Sequence, residues 1–216
     1  MIDYRAVIFD MDGILFDTER IYQETWHELA DERGIVLPPD YPQRICGSTL
    51  PMTHRIVEDV YGVADGVPLV RECRKRVAKR LEAGVPVKRG VPELLAYFKE
   101  NGIRTAVASS GTIERIRLNL EMTDLTSFFD VLVCGQDVVN GKPAPDIFLF
   151  AAERLGERPE DCLVFEDSVN GVRAGIAAGS RVIMVPDQVP PTDELRAGCT
   201  MICKDMTEVL ARLRGE

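Results

Sequence analysis

Ala6-Val7-Ile8-Phe9 is a short unbroken apolar run. From Gly90 onward similar runs alternate with segments of helical period, which is the pattern of a parallel sheet covered on both faces. The spacing predicts further strands at Thr105 to Ala108, Val131 to Cys134, Leu163 to Phe165 and Val182 to Val185. Between them, Leu94, Leu95 and Phe98 share one helical face closed by Gly102, and Ile113, Ile116 and Leu120 share another. Phe148, Ala151 and Leu155 form a third, closed by Gly156. Pro92 and Thr112 suit helix starts.

Residues 18 to 89 break the alternation. Tyr22, Trp26 and Leu29 before Gly34, then Val70, Cys73, Val77 and Leu81 before Gly84, read as amphipathic helices with no clear strand between them. The expected architecture is therefore α/β: a Rossmann-like parallel sheet core made of residues 1–17 and 90–216, with an inserted α-helical cap at 18–89. Ligands of open parallel sheets bind beyond the carboxyl ends of the strands, where this insertion leaves and returns, so the helices should form a lid.

Hydrophobic residues make up 45% and charged residues 28%, which fits a globular chain. No apolar run reaches the roughly 20 residues that cross a bilayer, and Met1-Ile2-Asp3-Tyr4-Arg5 leads into a strand-like segment instead of a signal peptide. A cytoplasmic protein is expected. A formal net charge of -9 disfavours nucleic acid as a partner. It also means that a site for an anionic substrate must gather its own positive charge. Six cysteines without a C-x-x-C pair read as reduced, buried small hydrophobes. The two histidines, His27 and His54, fall in helical segments and leave little material for a zinc site or a serine-histidine triad. Any metal should be held by oxygen.

Two carboxylates follow the first strand in Asp10-Met11-Asp12-Gly13, where glycine permits an immediate change of direction. A turn or cap role accounts for one such acid but not for a pair at the mouth of a buried strand. The other strand ends supply a complement. Ser109-Ser110-Gly111 offers a hydroxyl and backbone N–H groups for phosphoryl oxygens, Lys142 in Gly141-Lys142-Pro143 can neutralise charge, and Glu166-Asp167 can complete a hard-metal shell with Asp10. Taken singly, Ser109 also suits a helix start, Lys142 a solvated surface, and Glu166-Asp167 a cap for a helix near Ser168. Their assembly at one sheet edge is what favours chemistry.

With these motifs in order, the chain resembles the haloacid dehalogenase superfamily. The likeness is to its branch with a helical cap after the first motif, which contains beta-phosphoglucomutase and many sugar-phosphate and phosphoglycolate phosphatases. The motifs stand here as Asp10 to Glu19, Ala106 to Gly111, Gly141 to Asp146, and Phe165 to Val172. The resemblance implies that Asp10 attacks phosphorus to give an aspartyl phosphate while Asp12 serves as acid and base. It implies that Ser109, Ser110, Gly111 and Lys142 bind the phosphoryl group. It also implies Mg2+ held by the Asp10 carboxylate, the Asp12 carbonyl and Asp167, with Glu166 as a ligand or as a partner of the ligands. The expected activity is hydrolysis of a small phosphorylated metabolite.

Two cap positions depart from beta-phosphoglucomutase. Tyr22 stands where the mutase has a histidine, and Leu50 in Gly47-Ser48-Thr49-Leu50 stands where it has a phosphate-binding arginine, for which Arg44, Arg55 or Lys88 could substitute. This favours a phosphatase over a hexose-phosphate mutase. Tyr22 and Trp26 at helical spacing read as core before substrate contacts, and the run Arg71 to Arg76 as a solvated face. A receiver-type signalling switch also gathers acids, Mg2+, a hydroxyl and a lysine at a sheet edge. It carries its phosphorylated aspartate on a later strand and has no lid.

Overall fold

The structure, a computed structural model, describes residues 4–216; the Met1 to Asp3 part of the N-terminal lead-in lies outside the described residues. Strands β1 (Ala6–Phe9), β2 (Arg104–Ser109), β3 (Val131–Cys134), β4 (Cys162–Glu166), β5 (Arg181–Met184) and β6 (Met201–Ile202) form one sheet in the order β3-β2-β1-β4-β5-β6. The five strand pairs of this sheet are all parallel, with Phe9 level with Val107 on one side and Phe165 on the other.

Alternation along the strands divides the core. Val7, Phe9, Val107, Leu163 and Phe165 face one layer, and Ala6, Ile8, Ala106, Ala108 and Val164 face the other. The first layer is covered by α5 (Val91–Glu100), α6 (Ile113–Met122) and α10 (Met206–Arg214), which bury Leu94, Phe98, Ile116, Leu120 and Val209. The second is covered by α7 (Asp146–Leu155), α8 (Val169–Ala177) and α9 (Asp193–Gly198), which bury Phe148, Ala151, Val172 and Leu195. Thr112 caps α6 by accepting from the Arg115 N–H, and α7 ends on Gly156 at φ 73°, a left-handed stop that favours glycine.

Between β1 and α5 the described chain holds α1 (Thr18–Asp31), α2 (Tyr41–Ile45), α3 (Leu50–Tyr61) and α4 (Val67–Leu81) and no strand longer than a bridge. The two connections run side by side. Phe16 bridges antiparallel to Val87, the Asp17 N–H donates to the Pro86 carbonyl at 2.8 Å, and the Lys88 N–H donates to the Leu15 carbonyl at 2.9 Å. Trp26, Tyr41 and Tyr61 pack with ring centroids 5.9 to 6.3 Å apart, Tyr41 edge-on to the other two, so Trp26 is a core residue of this helical unit.

The apolar periods locate β1 to β5 to within a residue and mark the buried faces of α1, α4, α5, α6 and α7, but not α9 or α10. They miss β6, a two-residue edge strand too short to show a period. They also leave α2 and α3 unresolved as separate helices. These begin with Pro42 and Pro51 in their first turns, and α2 has only two buried residues, Tyr41 and Ile45. All six cysteines are free, five buried and Cys199 partly so.

Phe9 is fully buried and stacks on Phe165 with centroids 4.7 Å apart. Phe9→Ala is expected to lower the unfolding free energy by about 3–5 kcal/mol in urea titration. The control Leu118→Ala, at a position 55% exposed, should stay within about 0.5 kcal/mol of wild type.

Candidate active site

β1 lies between β2 and β4, so their three carboxyl ends open side by side at the point where the chain winds first to one side of β1 and then to the other. Asp10 leaves β1 with its N–H donating to the Phe165 carbonyl at 3.0 Å. Ser109 ends β2, and its hydroxyl accepts from the Gly111 N–H at 3.0 Å. Glu166 ends β4 and Asp167 follows. Asp10, Asp12, Ser109, Ser110, Gly111, Lys142, Glu166 and Asp167 all line one cavity of about 150 Å3. Every expected site residue is thus at this cavity.

Lys142 is 2% exposed. Its Nζ donates to Asp10 Oδ1 at 2.5 Å and Glu166 Oε1 at 2.7 Å, and it lies 4.9 Å from the centre of the Phe148 ring. Burial works against the ammonium, but the two carboxylates outweigh it and raise its affinity for the proton. Glu166 has no spare oxygen. Its Oε2 accepts from the N–H groups of Asp167 and Ser168 at 2.8 and 2.9 Å and from the Ser168 hydroxyl at 3.1 Å. Only glycine fits at 171, because a Cβ there would come within 1.7 Å of Glu166 Oε1.

The acids outnumber this lysine. Burial pushes Asp10 up to about 7 despite Lys142, with Glu166 and Asp12 adding to the rise. Burial likewise raises Asp167 well above the ordinary carboxylate range, helped by Glu166, Asp10 and Glu19. Among the described residues no cation pairs with Asp167, whose carboxylate lies so close to Gly13 that a Cβ there would come within 2.4 Å of Oδ2. Such a cluster suits a hard divalent cation, which prefers oxygen and cancels the repulsion. Among the described residues no three His, Cys, Asp or Glu side chains converge to cage an ion. A cation here would need Asp10, Asp167 and the Asp12 carbonyl to be completed by ligand or water oxygens.

Asp12 is held from outside this cluster. Thr18 donates its hydroxyl to Asp12 Oδ1 at 2.5 Å, and the Arg115 guanidinium pairs with Oδ2. Arg115 also donates to the Tyr22 hydroxyl at 3.0 Å. Sequence reasoning missed Arg115, because it sits beside the inward-facing Ile116 without any motif of its own. The one available signal is its place in the first turn of the helix that follows Ser109. Glu19 was quoted within the first motif without a role, yet it lines the cavity and burial raises it to about 8, with Asp12 adding to the rise.

Tyr22, Gln23, Trp26, Ser48, Leu50, Thr53 and Arg74 form the helical side of the cavity. Arg71, Arg74 and Lys75 are exposed, in line with the solvated-face reading, and Arg74 also borders the cavity from α4. Arg76 instead pairs with Glu32 and Glu72. Arg44, Arg55 and Lys88, considered as substitutes for a phosphate-binding arginine, do not line the cavity. Arg44 pairs with Asp59, Lys88 with Asp187 at 2.7 Å, and Arg55 is exposed.

The family model for haloacid dehalogenase-like hydrolases matches residues 4–179. The chain belongs to this family. It is similar to the phosphorylated carbohydrates phosphatase of Thermotoga maritima, with 39% identity over 178 residues, covering 81% of each protein. It is 31% identical over 214 residues to hexitol phosphatase B of Escherichia coli K12, covering 96% of this chain and 95% of that one. Among solved structures, a HAD family hydrolase from Deinococcus radiodurans with bound phosphate and sodium superimposes with a TM-score of 0.79 at 27% identity. The match covers 99% of this chain and 96% of that one. The matched family span carries all four motifs quoted from the sequence. Among the described residues no helix is long and apolar enough to cross a membrane.

The electrostatics of this hydrolase predict a pH dependence. Asp10 binds its proton more tightly in the fold, at about 7, than at its ordinary value of 3.8. The stabilising contribution of its protonated form is complete below that ordinary value and is lost as the pH rises through about 7. Asp167 acts in the same direction. In chelator, the melting temperature should fall between about pH 5 and pH 8, and Asp10→Asn should flatten the slope. A wild-type melting temperature that rises over this range would contradict the burial argument.

Proposed function

We propose that this chain is a Mg2+-dependent phosphomonoesterase that hydrolyses a small phosphorylated metabolite through an aspartyl phosphate on Asp10. The observation that carries the reading is the convergence of Asp10, Ser109, Lys142 and Asp167 at three neighbouring strand ends, in a chain of this hydrolase family. The phosphatase names of the relatives support it, and so does the phosphate in the Deinococcus radiodurans structure.

In this reading an Asp10 oxygen attacks phosphorus, the bond to the leaving oxygen breaks, and Asp12 gives that oxygen its proton. Water then attacks the phosphoaspartate, Asp12 takes the water proton, and the bond from phosphorus to Asp10 breaks to release phosphate. Ser109 and the N–H of Ser110 hold the phosphoryl oxygens, with the Gly111 N–H, which donates to the Ser109 hydroxyl, turning to them when the ligand binds, and Lys142 balances charge on Asp10. Asp10, Asp167 and the Asp12 carbonyl would hold Mg2+, which orients the phosphoryl group and offsets its repulsion from the acids. Glu166, fully engaged already, serves by positioning Lys142.

In this reading residues 18–89 are the cap and the described parts of 1–17 and 90–216 the core, hinged at the bridged connections around Phe16 and Val87. A cavity of about 150 Å3, below the roughly 300–1,000 Å3 of pockets for drug-sized ligands, limits the substrate to a small one. A nucleophile on the first strand beneath four helices does not fit a receiver-type switch.

Asp10→Asn should lower phosphate release by at least about 10^3-fold while leaving the melting temperature equal or higher, since it removes the nucleophile and some carboxylate repulsion. EDTA should stop turnover and Mg2+ should restore it; full activity in chelator would refute the metal assignment.

A mutase must keep water from the phosphoaspartate and grip a second phosphate. Tyr22 and Leu50 replace the histidine and arginine that beta-phosphoglucomutase uses there. Incubation with beta-glucose 1-phosphate and a bisphosphate primer should therefore yield free phosphate. Efficient formation of glucose 6-phosphate with little phosphate released would overturn the phosphatase reading in favour of the mutase.

A further inference from the structure

We propose that Arg115 is a positioning residue of this reaction: it fixes the carboxylate of Asp12 and ties that pose to the seating of helix α1 through Tyr22. The proposal rests on the acid and base role assigned to Asp12 above.

Both carboxylate oxygens of Asp12 are taken. Thr18, the first residue of α1, holds Oδ1 at 2.5 Å, and Arg115 holds Oδ2. Thr18 and Tyr22 lie one turn apart on α1, so they present their hydroxyls on the same face. Arg115 reaches that face from α6, on the other side of the hinge, and its second terminal nitrogen donates to Tyr22 Oη at 3.0 Å. A guanidinium is planar and rigid, so a single group sets both contacts in one fixed geometry, which a flexible lysine ammonium does not impose.

The local packing is built around this orientation. The guanidinium lies against Gly111, where a Cβ would come within 2.7 Å of Nη2 and 2.9 Å of Nε. The Nε–H is buried without a partner among the described residues. A buried donor left unpaired is unfavourable, and it marks a side chain oriented for its other contacts. When α1 shifts with the cap, either the bond to Tyr22 breaks or Asp12 turns. Asp12 is therefore posed for proton transfer only while α1 is seated.

The test compares kcat/KM for p-nitrophenyl phosphate, whose leaving group departs without a proton, with that for the alkyl phosphate the wild type hydrolyses fastest. Arg115→Ala should lower the alkyl value by about 10–100-fold and the nitrophenyl value by less than about 3-fold. Arg115→Lys should recover only part of the loss. Tyr22→Phe should show a smaller loss with the same selectivity. In an Asp12→Asn background, Arg115→Ala should add less than about 3-fold, since the two act as a unit. Equal losses for both esters, or additive losses in the double variant, would overturn the proposal. If Arg115→Ala does not fold, Arg115→Lys and Tyr22→Phe carry the same comparison, and their losing selectivity decides against it equally. A wild type that releases phosphate from neither ester removes the phosphatase reading and this proposal with it. Wild-type turnover without the selective loss removes the role of Arg115 alone.

Discussion

The buried ammonium of Lys142 is the contact on which the rest of the site depends. An ammonium taken out of water is tolerated only where carboxylates replace its hydration, and here Asp10 and Glu166 do so from the ends of two adjacent strands. Each partner is constrained in turn. Glu166 can face Lys142 because Ser168 and two backbone N–H groups hold its other oxygen, and because residue 171 has no Cβ. The register of β1 against β4, which sets Phe9 level with Phe165, brings Asp10 and Glu166 side by side. A one-residue slip would send one carboxylate to the opposite face of the sheet and leave a buried charge unpaired.

One lysine does not balance the remaining acids, and that imbalance gives the site its chemical character. Asp10 and Asp167 are both raised chiefly by burial, so the protein alone holds them at a cost that a divalent cation would relieve. In a chain of net charge -9, a cation bound by these acids would supply the positive charge that an anionic ligand needs.

The helical unit stands over this edge because its two connections are zipped together at Phe16 and Val87, directly beyond the strand that carries Asp10. The residues it lends to the cavity come from several helices: Tyr22 and Trp26 from α1, Leu50 and Thr53 from α3, Arg74 from α4. Trp26 is at once part of the aromatic core of the unit and part of the cavity wall. Packing and ligand contact are not exclusive there.

The order of β1 to β5 and of the helices between them, the family, and the gathering of Asp10, Asp12, Ser109, Lys142, Glu166 and Asp167 at one edge were legible in the sequence. Each depends on local pattern: apolar runs make strands, and short polar motifs directly after a strand must lie at its end. The pairing of those residues was not legible. Whether Glu166 meets a metal or a lysine depends on which oxygen faces which neighbour, and that follows from strand register and the absence of a Cβ at Gly171. Arg115 and Arg74 carry no motif. A cation on a helix faces solvent or a site according to how that helix is rotated and what packs opposite it. The sequence by itself determined which groups stand at the sheet edge, because strand and turn signals act over a few residues. Only the tertiary structure decided which charge meets which, because ion pairs such as Arg115 with Asp12 join segments that are far apart along the chain.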